Sequence, residues 1–187
     1  TIRYFTTCAV LLAAALSLAV PVRGDDQDAA ARRAELVAAL KSDATLDAEK
    51  ALTCKKLAIY GDKDAVPALA ALLPDERLSS WALIALEVIP GPEADAALRE
   101  AMGHLKGREL IGVINSIGIR RDAKAVDALA ERLKDADVDV ASAAAAALGH
   151  IGDAAATKIL EQSLDAAPAV VRSTVAEGCV LCAEKLM

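Results

Sequence analysis

The chain has 187 residues, of which 55% are hydrophobic but only 2% are aromatic. Compact domains of this size usually fill their core with large aromatic side chains, so this composition favours thin helices packed closely through Ala, Leu, Val and Ile. Strand-forming residues are scarce, which predicts an all-α chain. The net charge is −6. That balance disfavours binding to nucleic-acid backbones or to anionic membrane surfaces.

Residues 1–24 have the pattern of a signal peptide. Arg3 precedes the apolar run "CAVLLAAALSLAV", and small residues at Val22 and Gly24 fit a cleavage site before Asp25. The run is shorter than the roughly 20 residues of a membrane-spanning helix. We therefore predict an exported protein, periplasmic or extracellular, with no membrane contact beyond this segment; the alternative is a buried first helix.

Residues 25–187 are predicted to form one repeat domain. Loss of Arg3 and Arg23 would leave 19 basic and 27 acidic residues, a net charge of −8. A first column of apolar residues recurs every 29 or 31 residues: Leu40, Leu69, Leu98, Leu129 and Leu160. A second column keeps the same phase: Leu57, Leu86, Ile117, Leu148 and Cys179. A third column follows most of the first by four residues: Leu73, Met102, Leu133 and Leu164. Repetition at one period indicates a stack of similar units.

Each unit has the pattern of two helices joined by a polar break. The first helix places apolar residues at i, i+3, i+4 and i+7, and Asp and Pro in the breaks suit turns and helix starts. In the fourth unit we expect Ala143, Ala144 and Ala147 to face neighbouring helices, and Gly149 and Gly152 to end the second helix. The pattern predicts about five antiparallel hairpins, which cover residues 26–60, 62–89, 91–119, 122–151 and 153–186.

The stretch "VDVASAAAAALGHIGD" resembles the second helix of short HEAT-like repeats, whose common form is V-R-x-x-A-A-x-A-L-G-x-I-G. "AVVRSTVAEGCVLCA" matches the V-R pair at Val171 and Arg172 but departs at A-L-G. The resemblance is strongest over residues 122–165. It implies an armadillo-like α-solenoid without established catalytic residues of its own. The chain is also similar to the HEAT-repeat module of exported multidomain bacterial proteins. That likeness leads us to expect further repeats or another domain beyond residue 187, which would make the chain the N-terminal module of a larger enzyme or cytochrome.

Cys179 and Cys182 form a C-x-x-C pair. Ala183 follows, whereas a haem-attachment site needs His at that position. Both cysteines occupy predicted core positions, where Cys behaves as a small apolar residue. A disulfide between them, a redox or cofactor-handling role and metal binding stay open as alternatives.

The remaining candidate residues have weak signals. His104 and His150 are single and distant in sequence, and no known hydrolase, metalloprotease or phosphate-loop motif occurs. Trp81 is either a core residue or an interface anchor. Arg120 and Arg121 either present a small basic spot or lie in a solvated loop. We predict no cofactor and no catalytic residues.

The repeat alignment also predicts which residues of the second helices are exposed. They are Lys55, Ser80, Ile84, Asn115, Ser142, Ser173 and Glu177. We expect a non-enzymatic scaffold that uses this surface to bind a protein partner or an attached domain.

Overall fold

A computed structural model describes residues 23–165 and 169–186, in which ten α-helices follow one another and no strand occurs. The helices are α1 (Arg23–Lys41), α2 (Asp47–Tyr60), α3 (Val66–Ala70), α4 (Ser79–Val88), α5 (Pro92–His104), α6 (Gly107–Arg120), α7 (Val126–Arg132), α8 (Val138–Ile151), α9 (Ala154–Leu164) and α10 (Ala169–Leu186). Short 3₁₀ turns, Lys63–Ala65 and Ala123–Ala125, lead into α3 and α7. The all-α prediction is confirmed. Most of the predicted signal peptide, residues 1–22, lies outside the described residues.

The ten helices form five antiparallel pairs, which we call units one to five. Within each unit the first helix packs on the second, and the second helices contact one another in the order α2, α4, α6, α8 and α10. This nearest-neighbour arrangement is that of a solenoid. The unit boundaries agree with the five predicted hairpins to within a few residues.

The predicted columns form the core of the stack. All five leucines of the first column are buried, and so are Leu57, Leu86, Ile117 and Leu148 of the second. In the third column Leu73, Met102 and Leu133 are buried, while Leu164 is only half-buried. Burying one such side chain stabilises the fold by about 1.5–3 kcal/mol.

Aspartates begin several of the helical segments, as the pattern predicts. The carboxylates of Asp62, Asp122, Asp137 and Asp153 each accept a hydrogen bond from a backbone N–H at the start of the following helix or 3₁₀ turn. Such caps satisfy amide groups that have no partner within the helix. They fix where these four segments begin.

Successive second helices touch through the residues on either side of the second column. In one helix the residue that follows the second-column residue contacts, in the next second helix, the residue that precedes its second-column residue. The pairs are Glu87 with Ser116, Gly118 with Ala147, and Gly149 with Gly178. Ser116 Oγ donates a hydrogen bond to Glu87 at 2.7 Å. A Cβ on Gly118 or Gly149 would come within 2.8 or 2.7 Å of the facing Cα atom. Small residues are thus required where these backbones meet.

The prediction for the end of α8 is only partly correct. Gly152 caps the helix in the left-handed conformation, with φ of 60°, as expected for a C-terminal glycine. Gly149 does not end the helix; it lies inside α8 at the contact with Gly178. Ala143, Ala144 and Ala147 are buried, as predicted.

Candidate protein-interaction face

In each second helix, one stripe of side chains is exposed or half-buried. In each helix the stripe consists of three residues: those six positions before, two positions before and two positions after the second-column residue. Steps of four residues stay on one side of a helix, so the stripe lies opposite the buried column. Side by side, these stripes make one surface, which we call the second-helix face.

The structure places the predicted surface residues on this face. Ser142 is half-buried, so its predicted exposure is only partly correct. The other six are exposed: Lys55, Ser80, Ile84, Asn115, Ser173 and Glu177. Ser80 and Asn115 line one notch of about 220 Å³ between α4 and α6, where Gly112 leaves room beside Leu83.

The face also carries exposed aliphatic residues that the sequence analysis missed. Ile59 is 73% exposed, Val88 58% and Ile119 56%; each follows its second-column residue by two positions. We call these three residues the aliphatic row. Ile84, one turn earlier on α4, is 45% exposed. The signal that would have revealed the row is its repeat spacing of 29 and 31 residues together with its phase, two residues past each second-column residue.

Trp81 borders the face without standing free on it. It is half-buried against the core, and Lys55 Nζ lies 4.6 Å from the centroid of its ring. A cation over an indole face is attracted by the ring electrons. Core packing, one of the two roles predicted for Trp81, therefore accounts for most of its surface, and Lys55 covers part of the rest.

Arg120 does not present a basic spot. Its side chain is only 9% exposed and pairs with Asp95 of α5. Its guanidinium also donates hydrogen bonds to the carbonyl oxygens of Leu86, Glu87, Ile89 and Gly91. An arginine from unit three thus satisfies the free carbonyls at the end of α4 in unit two. Arg121 is exposed and left-handed, with φ of 55°.

The three cysteines in the described part of the chain, Cys54, Cys179 and Cys182, are free thiols. Cys182 is fully buried, whereas Cys179 is half-buried, so the predicted core position holds only in part for Cys179. Burial, and then the proximity of Cys182 and Glu161, raise the pKa of the Cys179 thiol. Reactive thiols have lowered pKa values, so this environment opposes the redox alternative. Cys54 lies elsewhere in the core, and burial raises its pKa to about 11.

Among the described residues, His104 and His150 belong to no group of three His, Cys, Asp or Glu that could hold a metal ion. Within the same part of the chain, no helix is both long and apolar enough to cross a membrane.

A larger cavity, of about 590 Å³, lies between units four and five. Its walls are mainly apolar and include Leu133, Val138, Val171 and Val175. Residues 166–168, which join the two helices of unit five, lie outside the described part of the chain.

Comparison with known proteins agrees with the architecture. Residues 110–178, which run from α6 into α10, match the family model for HEAT repeats. No curated protein matches the chain. The matched segment contains the Gly118–Ala147 and Gly149–Gly178 contacts, and units one and two continue the same stacking of second helices. Residues 110–178 are thus HEAT repeats, and the described helices before them stack in the same way.

Proposed function

We propose that this protein is a non-catalytic scaffold that binds a partner protein, or an attached domain, through its second-helix face. The observation that carries the proposal is the aliphatic row: three large aliphatic side chains, exposed at equivalent positions of three neighbouring helices. Single exposed apolar residues are common on protein surfaces, but contiguous apolar patches mark interaction sites.

The rest of the face suits a protein interface. Around the row lie the uncharged residues Ser80, Ile84 and Asn115, and the cores of protein interfaces are depleted in charged residues. HEAT repeats typically mediate protein interactions, and the rigid stack would present this face without a large ordering cost on binding.

We also propose that the scaffold works outside the cytoplasm. The support is the signal-like pattern of residues 1–24 and the abrupt change to the acidic segment "DDQD". Expression of the full chain in a bacterial host, followed by cell fractionation and N-terminal sequencing, tests this point. A product cleaved near Gly24 in the exported fraction is expected, and an uncleaved cytoplasmic product would contradict it.

Binding through the face is tested with two matched variants. Ile84→Asp places a charge on the face, and Ala128→Asp places the same charge on an exposed position of α7. Both variants should keep the helical circular dichroism of the wild type. The full chain and both variants are used to capture cross-linked partners from the native envelope.

The proposal predicts that the wild type and Ala128→Asp enrich the same partner and that Ile84→Asp loses it. If Ile84→Asp enriches that partner as well as the wild type does, the face is not the binding surface and the proposal fails.

A further inference from the structure

The spacing of the aliphatic row restricts what it can bind. Packed helices lie about 8–10 Å apart, so Ile59, Val88 and Ile119 follow one another across α2, α4 and α6 at about that distance. In an extended strand, side chains on one side repeat every ~6.6 Å. In an α-helix, residues seven apart lie on the same side and about 10.5 Å apart. The row therefore fits a helix that lies across the three second helices.

On the three helices that carry the row, the exposed charged side chains nearest to it are positive. In the C-terminal halves of α2, α4 and α6, the exposed charged residues are Lys55 and Lys56, and Arg121 follows α6 directly. Glu87, the carboxylate in this region, is half-buried and accepts a hydrogen bond from Ser116. The Arg120 guanidinium occupies the carbonyl end of α4 and offsets the negative end of that helix dipole. Cationic side chains therefore lie at both ends of the row, Lys55 and Lys56 on α2 and Arg121 after α6. The net charge of the chain is −6.

The first end of the row opens into a cavity of about 500 Å³ between α1 and α2. Leu36, Ile59 and Tyr60 supply apolar walls, and Arg32, Glu35 and Lys56 supply the charged ones. Arg32 also lies over the Tyr60 ring, 5.8 Å from its centroid. A bulky apolar side chain has room here, next to two cations and one carboxylate.

We propose that the aliphatic row binds an acidic amphipathic α-helix of a partner protein. Apolar residues seven apart in that helix contact Ile59, Val88 and Ile119. Its carboxylates pair with Lys55 and Lys56 at one end and with Arg121 at the other. This inference rests on the proposed function and specifies the chemistry of the partner.

The probe is a labelled synthetic peptide of about 18 residues, long enough to span the row at 1.5 Å per residue. It carries Leu at every seventh position and Glu on both sides of the Leu stripe. A second peptide has Lys in place of each Glu, and a third has the acidic composition with the Leu positions shuffled. Fluorescence anisotropy measures binding to the full chain, and circular dichroism measures the helix gained by the peptide.

We expect the acidic helix to bind the wild type and Ala128→Asp equally, and to bind more tightly than the other two peptides. Val88→Asp should weaken this binding by about tenfold or more, since it replaces an apolar contact with a charge. A variant that combines Lys55→Glu, Lys56→Glu and Arg121→Glu should prefer the basic peptide. That reversal cannot come from misfolding, which would abolish binding of both peptides.

Equal binding of the acidic and basic peptides, or an unchanged affinity in Val88→Asp, would overturn the inference. The partner-capture experiment separates this outcome from failure of the proposed function. If Ile84→Asp loses a native partner while the acidic helix shows no preference for the row, the face binds proteins but the acidic helix is wrong.

Discussion

Replacing Gly149 by alanine tests whether the second helices meet backbone to backbone. Gly149 lies in the last turn of α8, and its φ is not in the left-handed region. At such a position, Gly→Ala normally stabilises a helix by up to about 1 kcal/mol. Here the new Cβ would lie 2.7 Å from Gly178 Cα and 3.1 Å from Gly178 O. Because both atoms belong to the backbone of α10, they can yield only if the two helices separate.

The magnitude follows from two opposing effects. Overpacking at a tight contact costs about 1–3 kcal/mol, and the gain in helix propensity offsets up to about 1 kcal/mol of that cost. Gly103→Ala is the matched control: Gly103 lies in the last turn of α5, and a Cβ there meets nothing within 4 Å. The control should gain helix propensity without a clash. The two variants should therefore differ in free energy of unfolding by about 1–3 kcal/mol, with Gly149→Ala the less stable.

Urea denaturation followed by far-ultraviolet circular dichroism measures this difference. Thermal denaturation gives a second reading, with a shift of about 2–4 °C for each kcal/mol in a chain of this size. If Gly149→Ala is as stable as Gly103→Ala, or more stable, α8 and α10 do not approach as closely as described.

Three further predictions concern the core, the link between units and the buried thiol of Cys54. Leu148→Ala should cost about 2–5 kcal/mol in urea denaturation because the side chain is fully buried; Leu46→Ala, at a position 69% exposed, should cost little. Arg120→Met should cost about 2–4 kcal/mol by the same assay, since it leaves an aspartate and several carbonyl groups without their charged donor. Burial raises the pKa of the Cys54 thiol from 9.0 to about 11. Between these two pH values the native protein therefore keeps the thiol proton, whereas the unfolded chain has lost it. Stability should therefore be insensitive to this thiol below pH 9.0 and fall as the pH rises towards 11.

For each of these predictions, one result would contradict it. Equal losses in Leu148→Ala and Leu46→Ala would show that the second column is not the core. An unchanged free energy of unfolding in Arg120→Met would remove the proposed cap on α4. For the thiol, the control is Cys54→Ala: its stability should not share the loss between pH 9.0 and 11, and an identical pH profile in the wild type and Cys54→Ala would refute the assignment.

The core of the stack could be predicted because one physical rule governs it. An apolar side chain that recurs at one position of a repeated helix has to be buried against the next unit. The first-column leucines therefore identified both the helices and their register; they are Leu69, Leu98, Leu129 and Leu160. The aspartate caps were predictable for a similar reason, since a short acceptor before an apolar stripe satisfies free amide groups.

Other features depend on contacts that a single sequence does not display. Glycine is favoured both at helix ends and at close contacts, so its residue type alone could not distinguish the role of Gly149 from that of Gly152. Arg120 binds mostly backbone carbonyl groups of the preceding unit, and these acceptors leave no pattern in the sequence. Cys179 is less buried than Leu148 because α10 packs on α8 and α9, while no described helix covers its opposite side.

The aliphatic row was missed for a different reason. A repeated apolar position predicts a core residue, and Ile59, Val88 and Ile119 recur with the period of the core columns. Only the phase within the helix separates them: two residues past the column member, the side chain turns about 200° away from the buried side. The row and the core are thus opposite sides of the same repeat.

The central claim is that equivalent residues recur at equal steps along an open stack of units. Pulsed electron paramagnetic resonance tests it directly, with spin labels carried by non-natural amino acids at pairs of the equivalent positions Ser80, Ser142 and Ser173. At 8–10 Å per unit, labels two units apart (80 and 142) should be roughly 16–20 Å apart. Labels three units apart (80 and 173) should be separated by roughly 24–30 Å. A distance between positions 80 and 173 no longer than that between 80 and 142 would mean a closed bundle and would contradict the stack.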